Sequence, residues 1–410
     1  MYGLIGEKLG HSFSKEIHRQ LADYDYQLIE LKAEEFPKFM KEKKFTGINV
    51  TIPYKEAVIP YLDEIDKNAE AIGAVNTVVN RNGKLIGYNT DFDGMLYLLE
   101  ANNIEIYGKT VMILGTGGTS KTIAAVCREL KASQVYKVSR SGGIYFNYEQ
   151  AETLDDVQVI FNASPRGMYP NNYEKPFNTT YFPNLEAVVD VIYNPLNTSL
   201  VLMALAQGLQ TVGGLEMLVA QAKRAAEIFT EKPIDDRKTA EIYLKLCGEM
   251  QNIVLIGMPS CGKSTLGKML AAKLNRPFVD IDAEIVKAAG KTIPEIFAED
   301  GEDAFRRLEK AAVQKTAAKH GQVIAPGGGV VKDFSNIQAM QQNGMLFFID
   351  RDLDKLVTGG DRPLAKDKKA IEELHKERHH IYDRYCDYKI ENNGAAEEAL
   401  EKIMNIIKGA

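Results

Sequence analysis

Cysteine is scarce in this sequence and never clustered. Cys127, Cys247, Cys261 and Cys386 stand far apart with no Cys-x-x-Cys spacing, which argues against a zinc site or a disulfide framework and fits a reducing compartment. Long apolar runs are missing too. No stretch approaches the roughly 18 apolar residues a membrane helix needs. The opening Met1-Tyr2-Gly3-Leu4-Ile5-Gly6 has neither a charged leader nor an apolar signal stretch, so a soluble, cytoplasmic protein is expected. There is no basic stripe: 50 basic and 56 acidic residues are spread along the chain, for a formal net charge of -6. Neither nucleic acid nor an anionic membrane is indicated as a partner, and anionic small molecules would need local basic pockets. Repeats and low-complexity tracts are also lacking. What is present is the composition of a folded chain, 45% hydrophobic and 26% charged. Its 410 residues exceed one compact core and favour two or three domains.

Short apolar runs alternate with helical patterns, and several runs end in glycine-rich turns. That alternation is the mark of α/β units. The clearest are Thr110 to Leu114 before Gly115-Thr116-Gly117-Gly118, Ile253 to Ile256 before Gly257, and Gln322 to Ala325 before Gly327-Gly328-Gly329. Each turn can offer backbone N–H groups to an anion. Two nucleotide-type loops, each opening its own α/β series, imply two modules. Ala222 to Leu246 reads as helix, Cys247 to Gln251 as a short linker, and Asn252 as the start of a fresh strand.

In the second module, Gly257-Met258-Pro259-Ser260-Cys261-Gly262-Lys263-Ser264 fits G-x-x-x-x-G-K-[ST], with a strand before it and the helical pattern Thr265 to Leu274 after it. In such a loop Lys263 reaches the β and γ phosphates of a nucleotide and Ser264 ligates magnesium, while Gly257, Ser260, Gly262 and Thr265 complete the cradle. Pro277 to Asp282 reads as a strand with Asp280 and Asp282 on one face, since side chains alternate with period two. One carboxylate would hold magnesium through water; the other would take a proton from an acceptor hydroxyl.

Asp280-Ile281-Asp282, Gly301-Glu302-Asp303-Ala304-Phe305-Arg306-Arg307-Leu308-Glu309 and Gly327-Gly328-Gly329 together make residues 252 to about 408 resemble shikimate kinase. The resemblance implies that Asp282 binds substrate hydroxyls and acts as the base, and that Asp280 lies near magnesium. It further implies that Arg306 and Arg378 hold the substrate carboxylate, that Gly328 contacts the ring, and that Arg362 in a lid reaches the transferring phosphate. A planar guanidinium suits that carboxylate because it grips it through two parallel hydrogen bonds. Val357 stands where many members of that family carry an arginine near adenine, and the lid is short.

In the first module, Gly115-Thr116-Gly117-Gly118-Thr119-Ser120 sits where a dinucleotide fingerprint belongs, between the strand and the helical run Lys121 to Leu130; Ser120 takes the third glycine position. After the next strand, Gln134 to Val138, an NAD enzyme places an acid for the ribose hydroxyl. This chain has Ser139-Arg140-Ser141, and a cation with two hydroxyls suits the 2′-phosphate of NADP.

His11-Ser12-Phe13-Ser14, Asn49 to Lys55, Gly73 to Thr77, Gly87 to Asp91, Asp190 to Pro195 and Gly214 to Gln221 recur in order, and with them residues 1 to 246 resemble shikimate dehydrogenase. The resemblance implies that Ser12 and Ser14, helped by Tyr193, bind the substrate carboxylate. Thr51, Asn76 and Gln221 would bind ring hydroxyls, and Lys55 and Asp91 would be the catalytic pair. Reduction of a ketone needs a proton delivered to oxygen as hydride arrives, and a lysine beside a carboxylate can supply it. Taken singly, Lys55 would read as a surface lysine and Asp91 as the cap of a helix from Phe92 to Glu100. Lys15 replaces the proline that family usually has after the second serine.

The expected fold is therefore α/β. A shikimate-dehydrogenase-like substrate domain (1–100 plus 215–246) and a Rossmann NADP-binding domain (101–214) precede the linker 247–251 and a P-loop kinase domain (252–410). The expected function is bifunctional: NADPH-dependent reduction of 3-dehydroshikimate to shikimate, then phosphorylation of shikimate by ATP with Mg2+. The rivals are an NAD-linked quinate or shikimate dehydrogenase joined to another small-polyol kinase, and a chain with one module reduced to a nucleotide-binding scaffold. Arg140 and the set Asp282, Arg306, Arg378 argue against the first; the presence of Lys55, Asp91, Lys263, Asp280 and Asp282 argues against the second.

Overall fold

A computed structural model of the chain describes residues 1–10, 12–357 and 367–409. It divides into two compact units, Met1–Cys247 and Gly248–Ala410. Among the described residues no helix is long and apolar enough to cross a membrane.

The first unit holds two sheets. One consists of β1 (Tyr2–Gly6), β2 (Tyr26–Glu30), β3 (Gly47–Val50), β4 (Glu64–Ile65), β5 (Thr77–Arg81) and β6 (Lys84–Tyr88), in the order β2-β1-β3-β5-β6-β4. The other consists of β7 (Thr110–Leu114), β8 (Gln134–Val138), β9 (Val159–Asn162), β10 (Ala187–Asp190) and β11 (Gln210–Val212), all parallel, in the order β11-β10-β9-β7-β8. β7 is buried along its whole length, as befits a parallel strand covered on both faces. The helix Gly118–Glu129 brings Ile123, Val126 and Cys127 against Val111, Ile113, Val159 and Phe161. The chain leaves β7 toward β8 on one side and β9 on the other, so a crevice opens at the carboxyl ends of β7 and β9. Register puts Leu114 beside both Val138 and Asn162, which brings the loops after all three strands to one edge.

The helix Leu215–Thr230 packs on the helix Thr90–Ala101 and sends Ala225 and Phe229 into a cluster with Leu4, Tyr26 and Val79 of the first sheet. The single helix expected from Ala222 to Leu246 is two. Leu215–Thr230 ends at Glu231 in the left-handed conformation, Pro233 follows, and a second helix runs Arg237–Met250. Proline lacks the N–H that a continuing helix needs. The expected linker 247–251 is helical through Met250, with Gly248 inside the helix.

The second unit contains β12 (Asn252–Ile256), β13 (Phe278–Asp280), β14 (Val323–Ala325), β15 (Gly344–Asp350) and β16 (Tyr388–Glu391), parallel, in the order β13-β14-β12-β15-β16. β12 is wholly buried and opens into the turn at Gly257. That residue has φ 146°, and a Cβ there would lie 2.5 Å from the Ile349 carbonyl oxygen, so only glycine fits. The helix Lys263–Leu274 follows. The strand expected from Pro277 to Asp282 stops at Asp280. There the Asp280 carboxylate accepts from the N–H groups of Asp282 and Ala283 and caps the helix Ile281–Ala289. A side chain that satisfies two orphan donors turns the chain into helix, so Asp280 and Asp282 do not share a strand face.

Candidate active sites

In the first unit, the turn after β3 runs through Thr51, whose carbonyl accepts from the Tyr54 N–H, into the short helix Tyr54–Ala57 that carries Lys55. Asp91 lies in the first turn of the helix Thr90–Ala101. The cap of that helix is Asn89, which accepts from the Phe92 N–H; the Asp91 carboxylate is left for another use. Its Oδ2 accepts from Lys55 Nζ at 2.6 Å, with the two side chains 11% and 16% exposed. Its Oδ1 accepts from Asn76 Nδ2 at 2.9 Å. Asn76 Oδ1 in turn accepts from the Thr90 N–H at 2.7 Å, and the Thr90 hydroxyl lies 3.3 Å from Gln221 Oε1. Lys55, Asp91, Asn76 and Gln221 thus form one largely buried network. An ion pair sheltered this way holds its geometry far better than a solvated one.

Ser12 and Ser14 meet each other, hydroxyl to hydroxyl at 3.0 Å, and the Ser14 N–H donates to Ser12 Oγ. Tyr193, beyond the end of β10, packs edge-on against Phe13 between them, ring centroids 6.0 Å apart, and burial raises its phenol pKa. The β10 loop and the serine turn therefore face one another. The dinucleotide-type turn reaches the Lys55–Asp91 pair: a Cβ on Gly118 would sit 3.6 Å from Lys55 Cδ. Ser120 donates to the Gly115 carbonyl at 2.7 Å and fastens the turn. Gly117 is the N-cap of the helix beginning at Gly118 and Thr119, whose free N–H groups can meet a pyrophosphate. At the end of β8, Ser139 is buried and donates to the Gly142 carbonyl, while Arg140 is exposed.

In the second unit, a cavity of about 440 Å³ is lined by Ser260, Gly262, Lys263, Ser264 and Thr265 from the loop, by Asp280 and Asp282, by Arg306 and Glu309, by Gly327 to Gly329, and by Val357 and Arg378. Lys263 folds back on its own loop, donating to the carbonyls of Gly257 and Met258 at 2.9 Å each. Ser264 Oγ donates to Asp280 Oδ2 at 3.0 Å. A hydroxyl and a carboxylate at that corner fit Mg2+, which keeps several waters and takes few protein ligands. Among the described residues there is no group of three or more His, Cys, Asp or Glu able to cage a metal.

Asp282 lies under the glycine loop, where a Cβ on Gly327 would meet its Oδ1 at 2.8 Å. A Cβ on Gly329 would meet the Arg306 guanidinium and displace it. Arg306 is held by Glu302 and Glu309, each oxygen 2.9 Å from a guanidinium nitrogen. Arg378 is 3% exposed and donates to Glu377 at 3.1 Å. Arg362 lies outside the described residues.

Sequence reasoning passed over several residues here. Glu309 is 2% exposed and lines the cavity. Burial pushes its carboxyl pKa up, Arg306 and Arg378 oppose the rise, and the Asp282 charge adds to it. Its spacing of three from Arg306 on one helix was a readable signal. Asn392, buried beyond β16, donates to the Cys261 carbonyl at 2.8 Å and braces the phosphate loop. The Tyr382 hydroxyl donates to the Gly328 carbonyl. Those two contacts link residues far apart in sequence and leave no local pattern.

Fold and site together define a chain of two nucleotide-using α/β units, one built like a dinucleotide-dependent reductase and the other like a P-loop phosphotransferase. The model for the shikimate dehydrogenase substrate binding domain matches residues 4–78, and that for shikimate kinase matches residues 259–408. The shikimate dehydrogenase (NADP(+)) of Clostridium perfringens strain 13 is 37% identical over 265 residues, covering 60% of this chain and 98% of the relative. That of Clostridium beijerinckii is 38% identical over 259 residues, covering 59% and 96%. Among solved structures, shikimate dehydrogenase 1 from Peptoclostridium difficile aligns with TM-score 0.56 and 36% identity over 60% of this chain and 97% of that one. The Thermus thermophilus enzyme in complex with NADP(H) and shikimate aligns with TM-score 0.54 and 29% identity, over 60% and 98%. The chain belongs to the shikimate dehydrogenase family, and a shikimate kinase domain follows its dehydrogenase portion.

Proposed function

We propose that this chain catalyses two consecutive reactions, reduction of 3-dehydroshikimate to shikimate by the first unit and phosphorylation of the shikimate 3-hydroxyl by the second. One observation carries each half: the Lys55–Asp91 pair beside the Gly118 turn, and the cavity that gathers Lys263, Ser264, Asp280, Asp282, Arg306 and Arg378.

In the first reaction NADPH supplies the hydride. Ser12, Ser14 and Tyr193 bind the carboxylate, and Thr51, Asn76 and Gln221 bind ring hydroxyls. The Lys55–Asp91 pair delivers the proton to the ketone oxygen as hydride reaches its carbon. Gly115, Gly117, Gly118, Thr119 and Ser120 receive the pyrophosphate, with Ser139 and Arg140 at the 2′-phosphate.

In the second, Arg306, Arg378 and Gly328 hold shikimate with its hydroxyl toward Asp282, which accepts the proton as that oxygen attacks the γ-phosphorus of ATP. Ser264 and Asp280 would hold Mg2+, which would neutralise phosphate charge. Lys263 exchanges its two loop carbonyls for the β and γ phosphates, and Arg362 takes the lid role. The partners are small molecules, with neither nucleic acid nor a membrane among them. Free thiols at Cys127, Cys247, Cys261 and Cys386 suit a reducing compartment, and cytoplasmic location is part of the proposal.

A coupled assay tests both halves. Purified protein with 3-dehydroshikimate, NADPH, ATP and Mg2+ should oxidise NADPH and release ADP in equal amounts. NADPH loss without ADP would remove the kinase half, and faster turnover with NADH would remove the NADP assignment.

A further inference from the structure

A line of buried polar side chains runs from the far edge of the first sheet to the Lys55–Asp91 pair. It begins at Tyr26 on β2, which is 2% exposed. Its ring stacks on the His18 imidazole, centroids 3.9 Å apart and planes 9° apart, and His18 Nδ1 is 2.7 Å from the Tyr24 hydroxyl. Burial drives His18 down to about 3 and holds the Tyr26 phenol well above its ordinary value, so the stack is neutral and the phenol keeps its proton.

That proton is donated to Asn49 Oδ1 at 2.6 Å. Asn49 sits opposite Thr77 in the β3–β5 register. Its Nδ2 donates to Thr77 Oγ1 at 2.9 Å and to the Asn76 carbonyl at 3.4 Å. With one lone pair so engaged, the Thr77 hydroxyl points its own proton at Asn76 Oδ1, 3.1 Å away. Asn76 Nδ2 is then turned to Asp91 Oδ1, whose partner oxygen receives Lys55. The links run from donor to acceptor in one direction, and Thr90 holds the same amide from the other side, its N–H 2.7 Å from Asn76 Oδ1 and its hydroxyl 3.1 Å from Asn76 Nδ2. Asn49, Asn76 and Thr77 are each at most 5% exposed, so water cannot substitute for a missing member.

We propose that Tyr26 and Asn49 are positioning residues for the reduction: through Thr77 they fix the orientation of the Asn76 amide, and so the carboxylate geometry that aims Lys55. This rests on the reading of the first unit as a ketone reductase. Tyr26 and Asn49 touch neither the Lys55–Asp91 pair nor the dinucleotide-type turn.

Tyr26→Phe removes one hydroxyl and keeps the ring. The expected result is a fall in kcat for 3-dehydroshikimate reduction of about five- to tenfold, the worth of one buried hydrogen bond, with KM for NADPH unchanged. Proton delivery then limits turnover more strongly, so the solvent deuterium isotope effect on kcat should rise. A merely structural role would leave that isotope effect in place. Shikimate phosphorylation by the same preparation reports the amount of intact second unit.

If Tyr26→Phe folds poorly, Tyr26→Phe/Asn49→Leu replaces the polar pair by an apolar one with no orphaned group between them, and should regain thermal stability while kcat stays depressed. Wild-type kcat and an unchanged isotope effect in either folded variant would overturn the proposal alone. Wild-type protein that fails to oxidise NADPH with 3-dehydroshikimate would overturn the reductase reading and the proposal with it.

Discussion

Raising the pH from about 4 to 7 should destabilise the first unit through Asp190, the last residue of β10. Its carboxylate is fully buried; it accepts from Asn162 Nδ2 at 3.0 Å, from the Thr198 hydroxyl at 2.7 Å and from the Ile192 N–H at 3.0 Å. Burial outweighs those three donors and raises the group from 3.8 to about 6. Below about pH 4 the carboxyl is protonated whether the chain is folded or not. Between there and about 6 the folded state keeps a proton that the unfolded chain has released, so stability falls as pH rises. Above about 6 the full cost of a buried charge is present. A shift of about two units corresponds to about 3 kcal/mol, lost across that window.

Asp190→Asn cannot titrate and keeps nearly the same shape. Native-state hydrogen exchange of the β9 and β10 amides, corrected for intrinsic rates, measures opening of this region separately from the second unit. The opening free energy of the wild type minus that of the variant should fall by about 3 kcal/mol from pH 4 to 7. A difference that stays flat would refute the reasoning, since no other group changes between the two proteins.

Three further outcomes follow from the sites. Lys55→Met should lower kcat for reduction at least about a hundredfold, the scale of a lost general acid, with NADPH binding measured by fluorescence titration unchanged. Arg306→Lys should raise KM for shikimate about tenfold or more, because an ammonium cannot reproduce two parallel hydrogen bonds to a carboxylate; steady-state kinetics at saturating ATP check it. Arg140→Ala should raise KM for NADPH and leave KM for NADH in place, as Arg140 is placed at the 2′-phosphate alone.

The sequence was most readable where function is carried by a short contiguous run. The turns at Gly115 and Gly257 each lie at the carboxyl end of a central parallel strand, because glycine spacing after an apolar run reports backbone geometry directly. Lys55 and Asp91 were readable only through their motifs, since a single lysine or aspartate carries no signal of its own. What failed were inferences from period and from helix continuity. Period two placed Asp280 and Asp282 on one strand face, yet capping by Asp280 outweighed it. The helical pattern ran past Thr230, yet Glu231 and Pro233 stopped the helix there.

The residues given no role from sequence share a physical character. Glu309, Asn392, Tyr382, Asn49 and Tyr26 do their work through other side chains or carbonyls, and most of their partners are distant in sequence. A group that will meet substrate must sit at a loop or strand end, where local sequence is constrained. A group that orients it can come from any element that packs nearby. In the second unit this has a direct chemical consequence. Arg306 is already paired with Glu302 and Glu309, so on the proposed reading a substrate carboxylate meets a cation that is part-neutralised. Affinity then depends on what the substrate displaces. Glu302 is 43% exposed and Glu309 only 2%, so Glu302 can return to water at little cost while Glu309 stays to fix the guanidinium plane.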